Sequence, residues 1–303
     1  MYDRDWAPEG LPDFARAVQR AGVDELWVVE DLEWSGSIAS AATALAVTEH
    51  LRIGIGITPA PLRNPALLAM ELAALARMFP GRLTAGVGHG LREWMVKVGV
   101  APRSPLSLLE ETVTAVRGLL RGELVTVDGR EVHLDAVRLV HPPEVVPPVV
   151  AGVVGPRSLE LAGRVADGVI VAEGHGPEDL AVVLGHMAEG RAAAGPAAAG
   201  PAADATAGER VAAAPQSLTV FAFLCVEDDP EQLRATVGPA LAGHGAWLGR
   251  PVEQVFAAIG PAADVAARVR ELWAAGADSV VLRPVGPEPL RQVQAAVSAL
   301  RGR

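Results

Sequence analysis

The chain has 303 residues, half of them hydrophobic, with 36 acidic against 26 basic side chains and a net charge of −10. An α/β barrel typically needs about 250 residues, so one large domain fits this length, while the acidic balance argues against nucleic-acid binding. No charge-free apolar run reaches the roughly 18 residues of a membrane span, MYDRDWAPEG has no signal-peptide pattern, and the single cysteine, Cys225, excludes an intramolecular disulfide framework and fits a reducing cytoplasm.

Met1-Tyr2 reads as the stub of a first strand that turns at Asp3-Arg4-Asp5. Leu11 to Ala21 repeats at helical spacing up to Gly22, and Leu26 to Val29 is a short buried strand closed by Glu30-Asp31. A loop with Trp34 and Gly36 precedes an alanine-rich helix from Ile38 to Glu49. Arg52 to Ile57 is a buried strand, and the loop after it carries Arg63 and Asn64. Pro65 stands where the first turn of a helix tolerates it, because the missing N–H has no partner there in any case. Ala66 to Met78 continues that helix to the stop at Pro80-Gly81, and Leu83 to Val87 is a strand ending in Gly88-His89-Gly90. Glycines at these two strand ends admit either a flat ligand against the backbone or the sharp corner of a barrel. Pro105 to Leu120 is a long amphipathic helix, and Asp128-Gly129 between alternating residues marks a tight hairpin outside the main repeat.

Val149 to Ala151, Val169 to Ala172, Leu218 to Val226 and Ser279 to Leu282 complete the strands. The intervening helices are Pro156 to Val165, Leu180 to Ala194, one from Pro230, Asp264 to Ala275 and a closing Leu290 to Leu300. Repeated Gly-Pro among alanines cannot continue a helix, so residues 195–216 read as a flexible surface connection within one domain, 1–303. Cys225 falls in a buried strand, where packing is its expected role. Eight strands alternating with helices imply a (β/α)₈ barrel with insertions and a truncated first strand. The strand ends converge on the rim that carries the site in such barrels. They are Asp3-Arg4, Glu30-Asp31, Gly56-Ile57-Thr58, Gly88-His89-Gly90, Gly152, Ala172-Glu173, Val226 and Arg283.

GVDELWVVED, RIGIGITPAPLRNP, PGRLTAGVGHG, LLRGELVTVDG and GPRSLELAGRVADGVI occur in that order. Together they resemble the bacterial luciferase-like monooxygenase superfamily, in particular its deazaflavin-dependent branch similar to methylenetetrahydromethanopterin reductase. The likeness is best from Tyr2 to Glu173. It implies a non-prolyl cis peptide in a bulge behind the cofactor ring, at Gly56–Ile57 or the bond before it, with Thr58 next. It also implies that Gly86, Gly88, His89 and Gly90 flank the ring. The loop Gly152-Val153-Val154-Gly155-Pro156 and the helix start after it are implied to hold the phosphate through backbone N–H groups, with Arg157 a lesser contributor.

The resemblance implies an acid–base residue at the end of the second strand, which is Asp31 here. Adjacent Glu30 points to the opposite face, and burial of Asp31 near the ring would raise its pKa and suit it to proton transfer. His89 is a second catalytic candidate, Trp34 an aromatic wall, and Glu93 and Trp94 are possible substrate contacts. The luciferases' reactive cysteine has no counterpart, and Leu91 replaces the glutamate that sugar-phosphate dehydrogenases carry after this glycine motif, so that substrate is not expected. The implied function is an oxidoreductase passing hydride between coenzyme F420 and a small molecule. An FMN-dependent monooxygenase or reductase is the alternative, and a non-catalytic flavin-binding protein a second one. No metal, nucleic acid or membrane partner is expected; a cytoplasmic homodimer is.

Overall fold

The computed structural model describes residues 1–195 and 216–302, so the connection expected over 195–216 lies, between its end residues, outside the described residues. In chain order the elements are α1 Leu11–Arg20, β1 Glu25–Val28, α2 Ser37–Ala46, β2 Arg52–Pro59, α3 Pro65–Met78, β3 Leu83–Gly88, α4 Arg92–Lys97 and α5 Pro105–Leu120. The hairpin β4 Val125–Asp128 and β5 His133–Val137 follows, then β6 Val149–Gly152, α6 Pro156–Val165, β7 Gly168–Val171 and α7 Pro177–Ala194. The chain ends with β8 Ser217–Val226, α8 Pro230–Leu248, β9 Ala257–Gly260, α9 Ala262–Ala274, β10 Ser279–Pro284 and α10 Pro289–Leu300. Local chemistry sets several of these starts. Asn64 accepts the Ala66 amide at 2.9 Å ahead of Pro65, and Asp229 accepts that of Glu231 at 2.8 Å ahead of Pro230.

A parallel path β1-β2-β3-β6-β7-β8-β10 curls into the barrel wall, while β4 and β5 pair with each other apart from it. The expected first strand is a stub: the Tyr2 amide donates to the Trp27 carbonyl at 2.9 Å, and the Met1 amine to the Leu282 carbonyl. These two bonds bridge the gap between β1 and β10. The reading of eight regular strands needs one further correction, because β9 was not foreseen. It pairs with residues 223–226 of β8, while β10 takes residues 219–224 and β7 takes 217–220. The overlap with β10 puts β9 on the β7 edge, beyond the point where β7 stops.

Alternation along the strands divides the core. Leu26, Val28, Ile53, Ile55, Ala85, Val87, Val149 and Ala151 face the helices in the main hydrophobic layer. Trp27, Val150, Ile170, Phe221 and Val281 fill the barrel interior, with Ile57 and Met1 packed against them. This apolar plug forms the floor beneath the rim.

Candidate active site at the barrel mouth

The cis peptide lies at Gly56–Ile57, and the β2–β3 register shifts between Ile55 and Thr58, so this segment is a bulge. Past the bulge the Ile57 side chain turns inward and crosses two neighbouring strand ends. A Cβ on Gly152 would lie 2.3 Å from Ile57 Cγ2, and one on Gly88 3.0 Å from Ile57 Cδ1. Those glycines thus seat Ile57, which joins β2, β3 and β6 into one shallow cradle. Gly86 lies deeper, where a Cβ would meet the Ile55 carbonyl oxygen at 2.1 Å. Gly90 has φ +67°, a conformation that favours glycine, and packs against Pro59. Packing thus accounts for Gly86, Gly88 and Gly152, and backbone geometry for Gly90.

Thr58 faces away from the cradle. Its hydroxyl donates to Ser37 Oγ at 3.1 Å, which in turn donates to Glu30 Oε2. The Thr58 hydroxyl is thus engaged by Ser37, which leaves its backbone as the part available to the bulge.

Gly155 is the N-cap of α6, with Pro156 at its first position. The Ser158 and Leu159 amides both bond the Gly155 carbonyl at 2.9 Å, and buried Val153 donates to Ile170 at 3.3 Å. Among the described residues the amides of Val154, Gly155 and Arg157 have no acceptor within the chain. Nothing lies within 4 Å of a Cβ placed on Gly155, and Val154 is exposed. Three open amides at a helix N-terminus make a fitting seat for an anion.

His89 joins the two halves of this arrangement. Its Nε2 lies 3.0 Å from Ser158 Oγ, tying the end of β3 to the first turn of α6. Burial pushes its pKa below the ordinary imidazole value, with the Pro105 backbone pulling the other way. Through Nε2 the ring positions the two loops, while its buried Nδ1 has no hydrogen-bond partner among the described residues.

Asp31 sits elsewhere on the rim. Its carboxylate accepts from Arg4 Nη1 at 2.6 Å and its side chain is 25% exposed, so it lacks the burial expected of it. The Arg4 guanidinium lies 4.6 Å over the Trp34 ring, Trp34 Nε1 donates to Asp5 at 3.0 Å, and Trp94 stands 6.3 Å from Trp34. Trp34 and Trp94 thus form an aromatic pair beside the Arg4–Asp31 ion pair. Glu93 is exposed, and Arg157 likewise points outward.

Glu30 is the buried one of the pair. Its Oε2 accepts the Ser37 amide at 2.9 Å and the Ser37 hydroxyl at 2.5 Å, and its Oε1 accepts from Arg63, which also reaches Glu71 at 3.3 Å. Facing the first turn of α2, this carboxylate suits the positive end of the helix dipole. Arg4 and Glu173 stand at strand ends already noted in the sequence, and Ser158 follows the expected phosphate loop, but the contacts they make were not foreseen. Each acts through a partner at least 27 positions away along the chain, and local pattern carries no signal for that.

A groove of about 350 Å³ between α1 and α10, walled by Arg20, Gln294 and Arg301 among others, contains none of the candidate residues. Glu160, His186 and Glu189 gather on α6 and α7, with His186 Nδ1 3.4 Å from Glu160 and 3.1 Å from Glu189, also apart from the cradle. Among the described residues no helix is long and apolar enough to cross a membrane.

Known proteins share this architecture. A 5,10-methylenetetrahydromethanopterin reductase of Methanolobus tindarius is 28% identical over 306 residues, covering 94% of this chain and 93% of the relative. An F420-dependent glucose-6-phosphate dehydrogenase of Nakamurella multipartita is 30% identical over 184 residues, 57% of this chain and 54% of that one. The solved F420-dependent secondary alcohol dehydrogenase in complex with an F420–acetone adduct has the same fold, with a TM-score of 0.82 over 98% of this chain and 96% of its own, at 19% identity. The family model described as luciferase-like monooxygenase matches residues 5–279, and the chain belongs to that family.

Proposed function

We propose that this protein is an oxidoreductase that passes a hydride between coenzyme F420 and a small organic substrate. The observation that carries the reading is the continuity of two features. The Gly56–Ile57 bulge seated on Gly88 and Gly152 offers a backbone surface to a flat ring, and the open amides of Val154, Gly155 and Arg157 offer a seat for its phosphate. The His89–Ser158 bond holds the two at fixed separation. The similarity to the F420-dependent glucose-6-phosphate dehydrogenase and secondary alcohol dehydrogenase supports the deazaflavin over FMN. When bound, that coenzyme supplies a hydride-accepting or hydride-donating ring that scarcely reacts with oxygen. The chain's own part is to support the ring from behind, hold the phosphate and present a proton-exchanging group, for which Asp31 at the rim is the candidate.

Equilibrium titration of the purified protein with coenzyme F420 and with FMN tests the reading. Coenzyme F420 should bind at least about tenfold more tightly than FMN, a difference of about 1.4 kcal/mol. Tighter binding of FMN would replace the deazaflavin with the flavin, and binding of neither would remove the enzymatic reading.

A further inference from the structure

On the other half of the rim stands a charged group that the cofactor cradle does not use. Val281 belongs to the interior plug, so Arg283, two residues further along β10, faces the same side one layer nearer the mouth. Counted around the barrel with the Met1-Tyr2 stub as one stave, β10 lies opposite β3. Arg283 Nε donates to Asp3 Oδ2 at 2.6 Å and its Nη1 to Glu173 Oε1 at 3.2 Å. Both carboxylates are buried, Asp3 6% and Glu173 7% exposed. Arg283 Nη2 and Glu173 Oε2 carry no hydrogen bond among the described residues, and neither atom is shut off from solvent. The joined pair thus keeps one donor and one acceptor without a partner among the described residues.

The pair is held from behind. His175 Nδ1 lies 2.9 Å from the Ala172 carbonyl and His244 Nε2 lies 2.8 Å from that of Glu173, while Phe256, just before β9, donates to the Gly174 carbonyl at 3.0 Å. The Arg283 guanidinium rests over the Phe223 ring at 5.5 Å. The side chains of Asp3, Glu173 and Arg283 sum to one negative charge. Burial pushes the Met1 amine down to about 5 and His244 below its ordinary range, so neither offsets that charge at neutral pH.

We propose that Glu173 and Arg283 form the substrate-selecting face of the mouth, and that they admit a neutral alcohol or its carbonyl counterpart and exclude an anion such as a sugar phosphate. The inference rests on the reading of this mouth as the active site. A hydroxyl accepts from Arg283 Nη2 and donates to Glu173 Oε2, satisfying both open atoms; a carbonyl oxygen satisfies the first. A phosphate or carboxylate could pair with Nη2 but would face the uncompensated carboxylate beside it. In this assembly Arg283 is no general anion receptor, because Asp3 and Glu173 have already claimed two of its nitrogens.

The test follows the Arg283 side-chain Nε–H resonance in ¹H–¹⁵N spectra of the full chain, identified by its loss in Arg283→Lys. Cyclohexanol, cyclohexanone and glucose 6-phosphate are titrated in turn, with and without coenzyme F420. A saturable shift with the neutral probes, and none with glucose 6-phosphate over the same range, is expected. Glu173→Gln, and independently Asp3→Asn, should confer a response to glucose 6-phosphate about tenfold or more stronger than the parent's. A parent response to the phosphate as strong as to the neutral probes, or none to either neutral probe, would overturn the proposal. The cofactor-free spectra separate the two readings: a shift that persists in a protein unable to bind coenzyme F420 refutes only the proposed function. Tight coenzyme binding with an unresponsive Arg283 refutes only this inference.

Discussion

At Glu30 one carboxylate serves the first amide and hydroxyl of α2 together with the Arg63 guanidinium, immediately behind the strand that carries the bulge. Through Ser37 it also fixes Thr58, so the position of the bulge depends on a side chain that never reaches the mouth. β1 ends at Val28, so Glu30 and Asp31 lie past the strand, and nothing in the local pattern foretells that Glu30 is the more buried and constrained of the two. In Glu30→Gln one amide face must oppose either the Ser37 N–H or the guanidinium, with loss of a charge-assisted bond worth about 1.5–3 kcal/mol. Urea unfolding should register that loss, and cofactor affinity should fall with it as the bulge loosens. Asp31→Asn, in a partly exposed pair with Arg4, should cost at most about 1 kcal/mol of stability. If Asp31 exchanges the proton, its Asn variant should instead lose turnover by about 10²–10⁴-fold with cofactor affinity nearly unchanged. Parent-like turnover in Asp31→Asn would leave that residue a surface ion-pair partner only.

The elements divide by how local their signals are. The N-terminus of α6 is legible because Gly155-Pro156 states its chemistry within two residues, and α3 likewise begins at Asn64-Pro65. β9 is not, since Ala257–Gly260 has four small or apolar residues, one of them β-branched, and exists because β8 is long enough to offer a second pairing edge beyond β7. The loop bearing Glu173 inherits its position from that unforeseen strand, through the bridge between Gly174 and Phe256. For α6 the element-scale prediction is Gly155→Asp. The backbone there is extended (φ −78°, ψ 147°) and a Cβ meets nothing, so Asp can enter without strain and is itself a favoured N-cap, better than Gly by a few tenths of a kcal/mol. Thermal stability should hold or rise slightly. The same carboxylate would repel a bound phosphate, by up to ~4 kcal/mol for unit charges 4 Å apart at an effective dielectric of about 20. Affinity for the phosphate-bearing cofactor should therefore drop while that for a deazaflavin lacking phosphate changes little. Equal losses for both ligands would move the phosphate away from this loop.

Across the whole barrel, interior packing decides which residues face the ligand, and here the glycines of β2 answer to an aromatic on β1. Trp27 is 1% exposed and pairs in register with Gly54; a Cβ at Gly54 would lie 2.2 Å from the indole ring. The next inward position, Gly56, sits 2.7 Å from Phe221 Cζ by the same measure, and Phe221 meets Trp27 edge-on at 5.6 Å. RIGIGIT displays its glycines openly, but their partners are set by register across strands, so sequence alone leaves their cause open between ligand and packing. The geometry gives a test by coupling. Gly54→Ala should destabilise by about 1–3 kcal/mol through overpacking. Trp27→Leu should cost somewhat less than the ~3–5 kcal/mol of removing the whole ring, because part of the interior stays filled. In the double variant the alanine methyl enters space the indole vacated, so the combined loss should fall short of the sum by about 0.5–3 kcal/mol. Urea midpoints of the four proteins measure the cycle. Strict additivity would mean that Gly54 is not there to accommodate Trp27, and its glycine would then have to be explained from the ligand side.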